Sequence, residues 1–254
     1  MRFNSWQDFE FFEKDVKYKN RFVHSPFVVE FLNNIRATLP LRKTILPASS
    51  ILYRSQLGYR EYEQDGEIIV AGYKPDRMKP IPFKSAEGRA NPKGISYLYL
   101  SSDENTSAAE LRPNLGQNLS SAKFRINKDL YLVNCYSVNR HYNHIECIFN
   151  PPQSQDEISN AIWSMINNAF TKPVTNNDAA SDYVPTQFLA EFFRSEGFDG
   201  ICCKSGQGDG YNYILFNLDN ADMISCTVLE TKLIRYDFSE ITNPYYIQQE
   251  RNIL

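Results

Sequence analysis

The sequence predicts an α+β domain preceded by a helical extension, and three features of its pattern carry that expectation. Short runs rich in Tyr, Val, Ile and Leu fill the middle of the chain and read as strands. Two later segments place apolar residues at helical spacing, with further strands after them. Aromatic content is high at 14%, with 16 Tyr and 17 Phe, which suits a sheet-rich core.

The elements follow in order. Residues 1 to about 45 read as mostly helical and polar, and SPFVVEFLNNI is an amphipathic piece opened by Ser25 and Pro26. From Ile51 the texture changes to ILYRSQL, GEIIVAGYK, ISYLYLS, AKFRI and LYLVNCY. The stretch KPDRMKPIPFKSAEGRANPKG, dense in Pro, Gly and Lys, is irregular. DEISNAIWSMINNAF is a helix with Ile158, Ile162, Met165 and Ile166 on one face. VPTQFLAEFFRSEGFDG repeats the pattern through Phe188, Leu189, Phe192 and Phe193 and stops at Gly197. GICCKS and YNYILFN are strands separated by a glycine-rich loop. The expected organisation is a helical extension over residues 1–48, a central domain over 49–222, and a tail over 223–254 packed on that domain.

Composition excludes several classes. A length of 254 residues suits one substantial domain, or one domain with an appendage. Net charge is −3 and no Lys/Arg block occurs, so there is no electrostatic reason to expect nucleic acid or an anionic membrane as partner. The N-terminus lacks the basic-then-apolar pattern of a secretory signal, and no run approaches the roughly 20 apolar residues of a membrane span. Cys135, Cys147, Cys202, Cys203 and Cys226 show no CxxC spacing and read as reduced core thiols, which points to the cytoplasm.

Two motif-like stretches are weak. GQGDG, residues 206–210, lies between strands rather than opening a helix, which favours a mobile loop over a dinucleotide fingerprint. His141, His144, Glu146 and Cys147 are close in sequence, but strand alternation separates the two histidines and no second ligand cluster appears, so no metal is expected. His24 reads as a surface residue near a helix start.

The informative stretch is GRANPKGISYLYLSSDENTSAAELRP, residues 88–113. Alternation puts Ile95, Tyr97 and Tyr99 on one face of a strand and Ser96, Leu98 and Leu100 on the other. Asp103 can cap the short helix that follows and Pro113 ends it, leaving Glu110 in the last turn, where the helix terminus already carries partial negative charge. A carboxylate placed there is either a surface residue or one held for chemistry.

YR at 53–54, GRANPKG and YLYLS within 88–101, TSAAEL at 106–111, and GFDGICCKS with YNYILF within 197–216 occur in one order. Together they closely resemble the RES family, named for its Arg, Glu and Ser, over about residues 50 to 220. The resemblance implies an ADP-ribosyltransferase-like split mixed sheet with flanking helices. It also implies an NAD-consuming enzyme acting as the toxin of a toxin–antitoxin pair, by hydrolysis or phosphorolysis, with a neutralising antitoxin protein as partner. Carried over position by position, the family's arginine falls on Arg89, its tyrosine on Tyr99, its glutamate on Glu110 and its serine on Ser205. Arg54 matches an arginine often found in the family's first core strand. The chain departs from the compact pattern by its N-terminal extension, an insertion between residues 60 and 85, and its C-terminal tail.

The residue types suit that chemistry. Cleavage of the nicotinamide–ribose bond passes through an oxocarbenium-like transition state, which a carboxylate at Glu110 would stabilise. A guanidinium at Arg89, and at Arg54, grips a pyrophosphate through paired hydrogen bonds. Tyr99, with Tyr97 as the alternative, offers an aromatic face to nicotinamide or ribose. Ser205 closes a row with Ile201 and Cys203 and offers a hydroxyl to sugar or phosphate. NAD is the substrate and no further cofactor is implied. Two other functions fit the same residues: ADP-ribosyl transfer onto a protein or nucleic-acid acceptor, and an idle dinucleotide-binding regulatory module.

Overall fold

The computed structural model describes residues 2–136, 142–172 and 180–235. Its helices are α1 (Asp8–Tyr18), α2 (Pro26–Arg42), α3 (Pro75–Met78), α4 (Glu104–Ala109), α5 (His144–Phe149), α6 (Gln155–Thr171) and α7 (Val184–Ser195). Its strands are β1 (Lys43–Leu46), β2 (Ile51–Leu57), β3 (Arg60–Gln64), β4 (Glu67–Ala71), β5 (Leu98–Ser101), β6 (Asn118–Ile126), β7 (Leu130–Asn134), β8 (Gly200–Lys204), β9 (Tyr211–Leu215) and β10 (Ala221–Glu230). Among the described residues no helix is long and apolar enough to cross a membrane.

Local chemistry accounts for the long helices. Ser25 Oγ accepts from the Val28 amide and Pro26 fills the first position of α2, where a missing N–H costs nothing. Ser154 and Glu157 form a reciprocal capping box at the start of α6. Past the end of α7, Gly197 at φ +86° turns the chain into β8, a conformation that a side chain would disfavour.

Eight strands form one mixed sheet in the order β1-β7-β8-β9-β5-β2-β6-β10, with β7 and β8 parallel. The fold is therefore α+β with a mixed sheet flanked by helices, as the sequence leads one to expect. Between β5 and β2 the register is a single pair, Tyr53 opposite Ser101. The sheet is split there into a half made of β1-β7-β8-β9-β5 and a half made of β2-β6-β10.

Each face of the sheet carries its own core. One holds Tyr97, Cys203, Ile201 and Ile214 beneath α1, α2, α6 and α7. The other holds Leu52, Leu98, Leu100, Phe124 and Leu215 with Met78 of α3 and Tyr73 packed over them. Alternation in β5 thus divides Tyr97 and Tyr99 from Leu98 and Leu100, as expected.

The ends of the chain are less separate than the pattern implies. Helices α1 and α2 fall within residues 1–48, yet Phe9, Phe12 and Val16 of α1 and Val28, Phe31 and Ile35 of α2 lie in the same core as Trp163, Phe193 and Ile201. Residues 43–46 pair with β7 as an edge strand. The apolar faces of α1 and α2 cover a sheet face that would otherwise meet water. At the other end, β10 continues past residue 222 and, after a bulge between Met223 and Ser225, pairs with β6 as far as Glu230, so 223–230 is sheet rather than a tail laid upon it. Residues 236–254 of the expected tail lie outside the described residues.

Two further differences concern the insertion and the histidines. The insertion contains the β3–β4 hairpin, turned by Asp65 at φ +53° and Gly66 at φ +81°, both left-handed as a two-residue hairpin turn requires. His144, Glu146 and Cys147 lie in helix α5 rather than a strand, because Asn143 caps the Glu146 amide and starts a helical turn. His144 faces Glu10 at 3.6 Å and Trp6 edge-on, while the Cys147 side chain is buried. His141 lies outside the described residues, among which no group of three or more His, Cys, Asp or Glu is placed to hold a metal ion.

Candidate active site

Glu110 stands immediately after α4, a helix started by Asp103, whose carboxylate accepts from the Thr106 amide at 2.8 Å. Burial works against the charge of Asp103, but hydrogen bonds from Thr106 and Ser102 outweigh it and hold the carboxyl below its usual range. α4 packs on β2, with Ser107 Oγ donating to Ser55 Oγ at 3.0 Å. It therefore belongs to the β2-β6-β10 half, and the turn that follows it closes at Arg112, φ +48°, just before Pro113. Ser205 and Asn212 belong to the other half, at the adjoining ends of β8 and β9. Ser205 Oγ and Asn212 Nδ2 each donate to Glu110 Oε1 at 2.6 Å, so these bonds reach across the split. The side chain of Glu110 remains exposed.

The expected mobile loop at GQGDG is instead pinned. Ser205 Oγ accepts from the amides of Gln207 at 3.1 Å and Gly208 at 3.0 Å, and Gly210 donates to Thr106 Oγ1 at 3.1 Å. A Cβ on Gly210 would land against Asp103, Ser102 and Thr106, and one on Gly208 would sit 2.9 Å from Thr106 Cα. The glycines let the loop lie directly on the first turn of α4. No helix begins there, so the stretch is a brace for Ser205 and Glu110 rather than a phosphate cradle.

Arg89 is held by a different set of contacts. Gln187 of α7 donates to the carbonyls of Gly88 at 2.9 Å and Asn91 at 3.2 Å, and Thr186 Oγ1 donates to the Arg89 carbonyl at 2.5 Å. Tyr99 OH donates to Asn91 Oδ1 at 2.7 Å and accepts from the Ala90 amide at 3.1 Å. Burial pushes the Tyr99 hydroxyl far above its ordinary range, so it stays protonated and serves as that donor. Gly88 is glycine because a Cβ would lie 2.7 Å from Asn91 Oδ1 and 3.0 Å from Tyr99 OH. In this arrangement Tyr99 anchors the turn that presents Arg89.

Cys203 of β8 is within electrostatic range of both Glu110 and Arg89. Burial drives the Cys203 thiol far above its usual range; the Glu110 charge adds to that and the Arg89 charge opposes it. Cys203 lies on the helix-covered face, two positions before Ser205 in sequence.

A family model described as RES domain matches residues 69–239, about two thirds of the chain. The chain belongs to the RES domain family. No curated protein sequence matches it at a comparable level. Two solved structures resemble it. A chain of the M. tuberculosis MbcT–MbcA toxin–antitoxin complex has 12% identity and a TM-score of 0.41, covering 76% of this chain and 90% of that one. An anti-CRISPR protein has 12% identity and a TM-score of 0.26, covering 73% and 99% respectively. Both scores are too low to bear on function, and the assignment rests on the sequence match.

The matched RES segment contains Arg89, Tyr99, Glu110 and Ser205 but begins after Arg54. Arg54 also differs in placement. Its register partner is Ala122, on the face opposite Glu110, and its Nη1 donates to the Tyr99 carbonyl at 3.0 Å across the split. Burial pushes the guanidinium pKa down, and its Nε is buried without a hydrogen-bond partner. Tyr97 is only 1% exposed and packs on Phe216, so it presents no face to a ligand.

The structure thus brings Glu110 and Ser205 into contact, ties Arg89 to Tyr99 through the turn, and sets Arg54 beneath them. Sequence reasoning missed Asn212, Asn91, Thr186 and Gln187. The alternation in YNYILF could have marked Asn212, the polar residue on the face carrying Ile214. A cavity of about 920 Å³ lined by Ile81, Phe83, Arg194, Phe198 and Phe216 lies at the opposite ends of β5 and β8 and contains none of these residues.

Proposed function

We propose that this RES domain cleaves the nicotinamide–ribose bond of NAD and acts as an intracellular toxin. The observation that carries the reading is the Glu110 carboxylate, exposed at the split and braced by Ser205 and Asn212 on a single oxygen. As the bond to nicotinamide breaks, its electron pair returns to the pyridine nitrogen and positive charge develops on the ribose. A fixed anion beside that sugar stabilises the transition state more than the ground state. The acceptor oxygen, from water or phosphate, then bonds to the anomeric carbon and loses its proton. Arg89, presented by its anchored turn, supplies a guanidinium for the pyrophosphate.

The test is to incubate the purified protein with NAD and measure free nicotinamide. Release of nicotinamide with the labelled ADP-ribosyl moiety remaining acid-soluble is expected, and parallel reactions with and without phosphate identify the acceptor. Label carried into acid-insoluble material would indicate ADP-ribosyl transfer, and no release would leave only a binding module. A chain that consumes NAD also needs a neutralising protein partner in its own cell. Expressing the wild-type chain alone should therefore lower cellular NAD and stop growth; unaffected cells holding active protein would count against the toxin role.

A further inference from the structure

We propose that Asn212 is a positioning residue of this site, oriented by Ser101, that occupies one oxygen of Glu110 and leaves the other to work on the ribose. The inference rests on the reading of Glu110 given above and adds which of its atoms acts.

Asn212 lies in β9, paired with Ser101 of β5 on one side and Cys203 of β8 on the other. Its Nδ2 donates to Glu110 Oε1 at 2.6 Å, and its Oδ1 accepts from Ser101 Oγ at 2.9 Å. The reversed amide would bring Oδ1 against a carboxylate oxygen, two acceptors with no proton between them, so only one orientation is compatible with Glu110. Ser101 adds to that preference by donating to Oδ1. Ser205 is constrained in the same way. Its oxygen already accepts from Gln207 and Gly208, so its one proton is directed at Glu110 Oε1.

Two donors therefore converge on Oε1 and occupy its lone pairs, so that oxygen carries no proton. Among the described residues no donor reaches Oε2. The carboxylate plane is fixed by groups from β8 and β9, and the oxygen turned away from them is the one left to meet a ribose hydroxyl, the developing cation or the attacking nucleophile. A carboxylate held in this way turns Oε2 toward whatever enters the site, where it can accept hydrogen bonds and stabilise positive charge.

Three variants and one spectrum test this. Asn212→Ala should lower kcat for nicotinamide release on the order of 10- to 100-fold, as misplacement of a reacting group does, with KM for NAD changed less than about threefold. Ser101→Ala should act in the same direction by a few-fold. Asn212→Asp sets a second carboxylate against Oε1, and two such groups share a proton, so the acid limb of the kcat/KM profile should move up by about one pH unit or more. A merely structural role for Asn212 would lower Tm in Asn212→Ala without separating kcat from KM. In the wild-type protein without NAD, the Asn212 side-chain amide should give a downfield, slowly exchanging NMR signal that shifts in Glu110→Gln. A folded Asn212→Ala protein with wild-type kcat, or an Asn212→Asp protein with an unmoved acid limb, would overturn the proposal. If the wild type released no nicotinamide, the NAD reading would fall, while the amide signal would still decide whether Asn212 holds Glu110.

Discussion

Glu110 and Arg54 both carry a charge at the split in the sheet, and their surroundings treat it in opposite ways. Glu110 is exposed, with two donors on one oxygen and, among the described residues, no donor on the other. Arg54 is withdrawn beneath the sheet, where one Nη1 bonds the Tyr99 carbonyl, Nε has no partner and burial disfavours the charge. An accessible, braced charge can act on a substrate without reorganising. A buried cation with a single carbonyl partner instead joins β2 to β5 where the ladder has only one register pair. Residues that a family pattern groups as one site can thus divide into a charge left accessible and a charge that ties the two halves together.

The sharpest way to break this comparison is Glu110→Gln. It should lower turnover on the order of 100- to 1000-fold, about 3 to 4 kcal/mol of barrier, at nearly unchanged NAD affinity and unchanged Tm. Near-normal turnover in a folded Glu110→Gln protein would remove the carboxylate from the mechanism. Arg89→Ala comes next: a lost charge-assisted contact of about 1.5 to 3 kcal/mol should raise the Kd for NAD roughly 10- to 100-fold, read by calorimetry on a catalytically silent background.

Arg54→Met sharpens the contrast from the other side. Leaving the Tyr99 carbonyl unpaired across the split should destabilise the fold by about 1 to 3 kcal/mol in urea titrations, with little change in Kd for the fraction that is folded. The opposite result, normal stability with weakened NAD binding, would return Arg54 to the binding surface. The smallest effect belongs to Asp103. Its carboxyl is held below the ordinary value of 3.8, so its contribution to stability is complete above that pH and is lost as pH falls below it toward the folded-state value. Melting curves from pH 7 down to 3 should show an acid loss that is weaker in Asp103→Asn, which is already without that charge.

Much of this was legible in the chain. The split α+β sheet, the alternation that divides Tyr99 from Leu98, the Asp103 cap and the row ending at Ser205 all follow from periods of 2 and 3.6 read against a family pattern. What escaped was set by contacts distant in sequence. Thr186 and Gln187 look like one turn of an amphipathic helix until the GRAN turn is laid on them. GQGDG looks free until Thr106 is found beneath it. β10 was hidden because an edge strand, half exposed and broken by a bulge between Met223 and Ser225, has no clean alternation to announce it. Arg54 shows the same limit in reverse, since its motif is plain in sequence but its neighbours are not.

The packing of α1 and α2 under α7 also sets an order of events during synthesis. Phe12 meets the ring of Phe188 at 5.5 Å, so the first helices cannot bury their apolar faces until the chain beyond α6 has left the ribosome. The turn presenting Arg89 waits for the same helix, and Glu110 waits for β8 and β9. A nascent chain therefore carries sticky helices but no assembled site for most of its synthesis, an interval in which chaperones have access to it before any chemistry does.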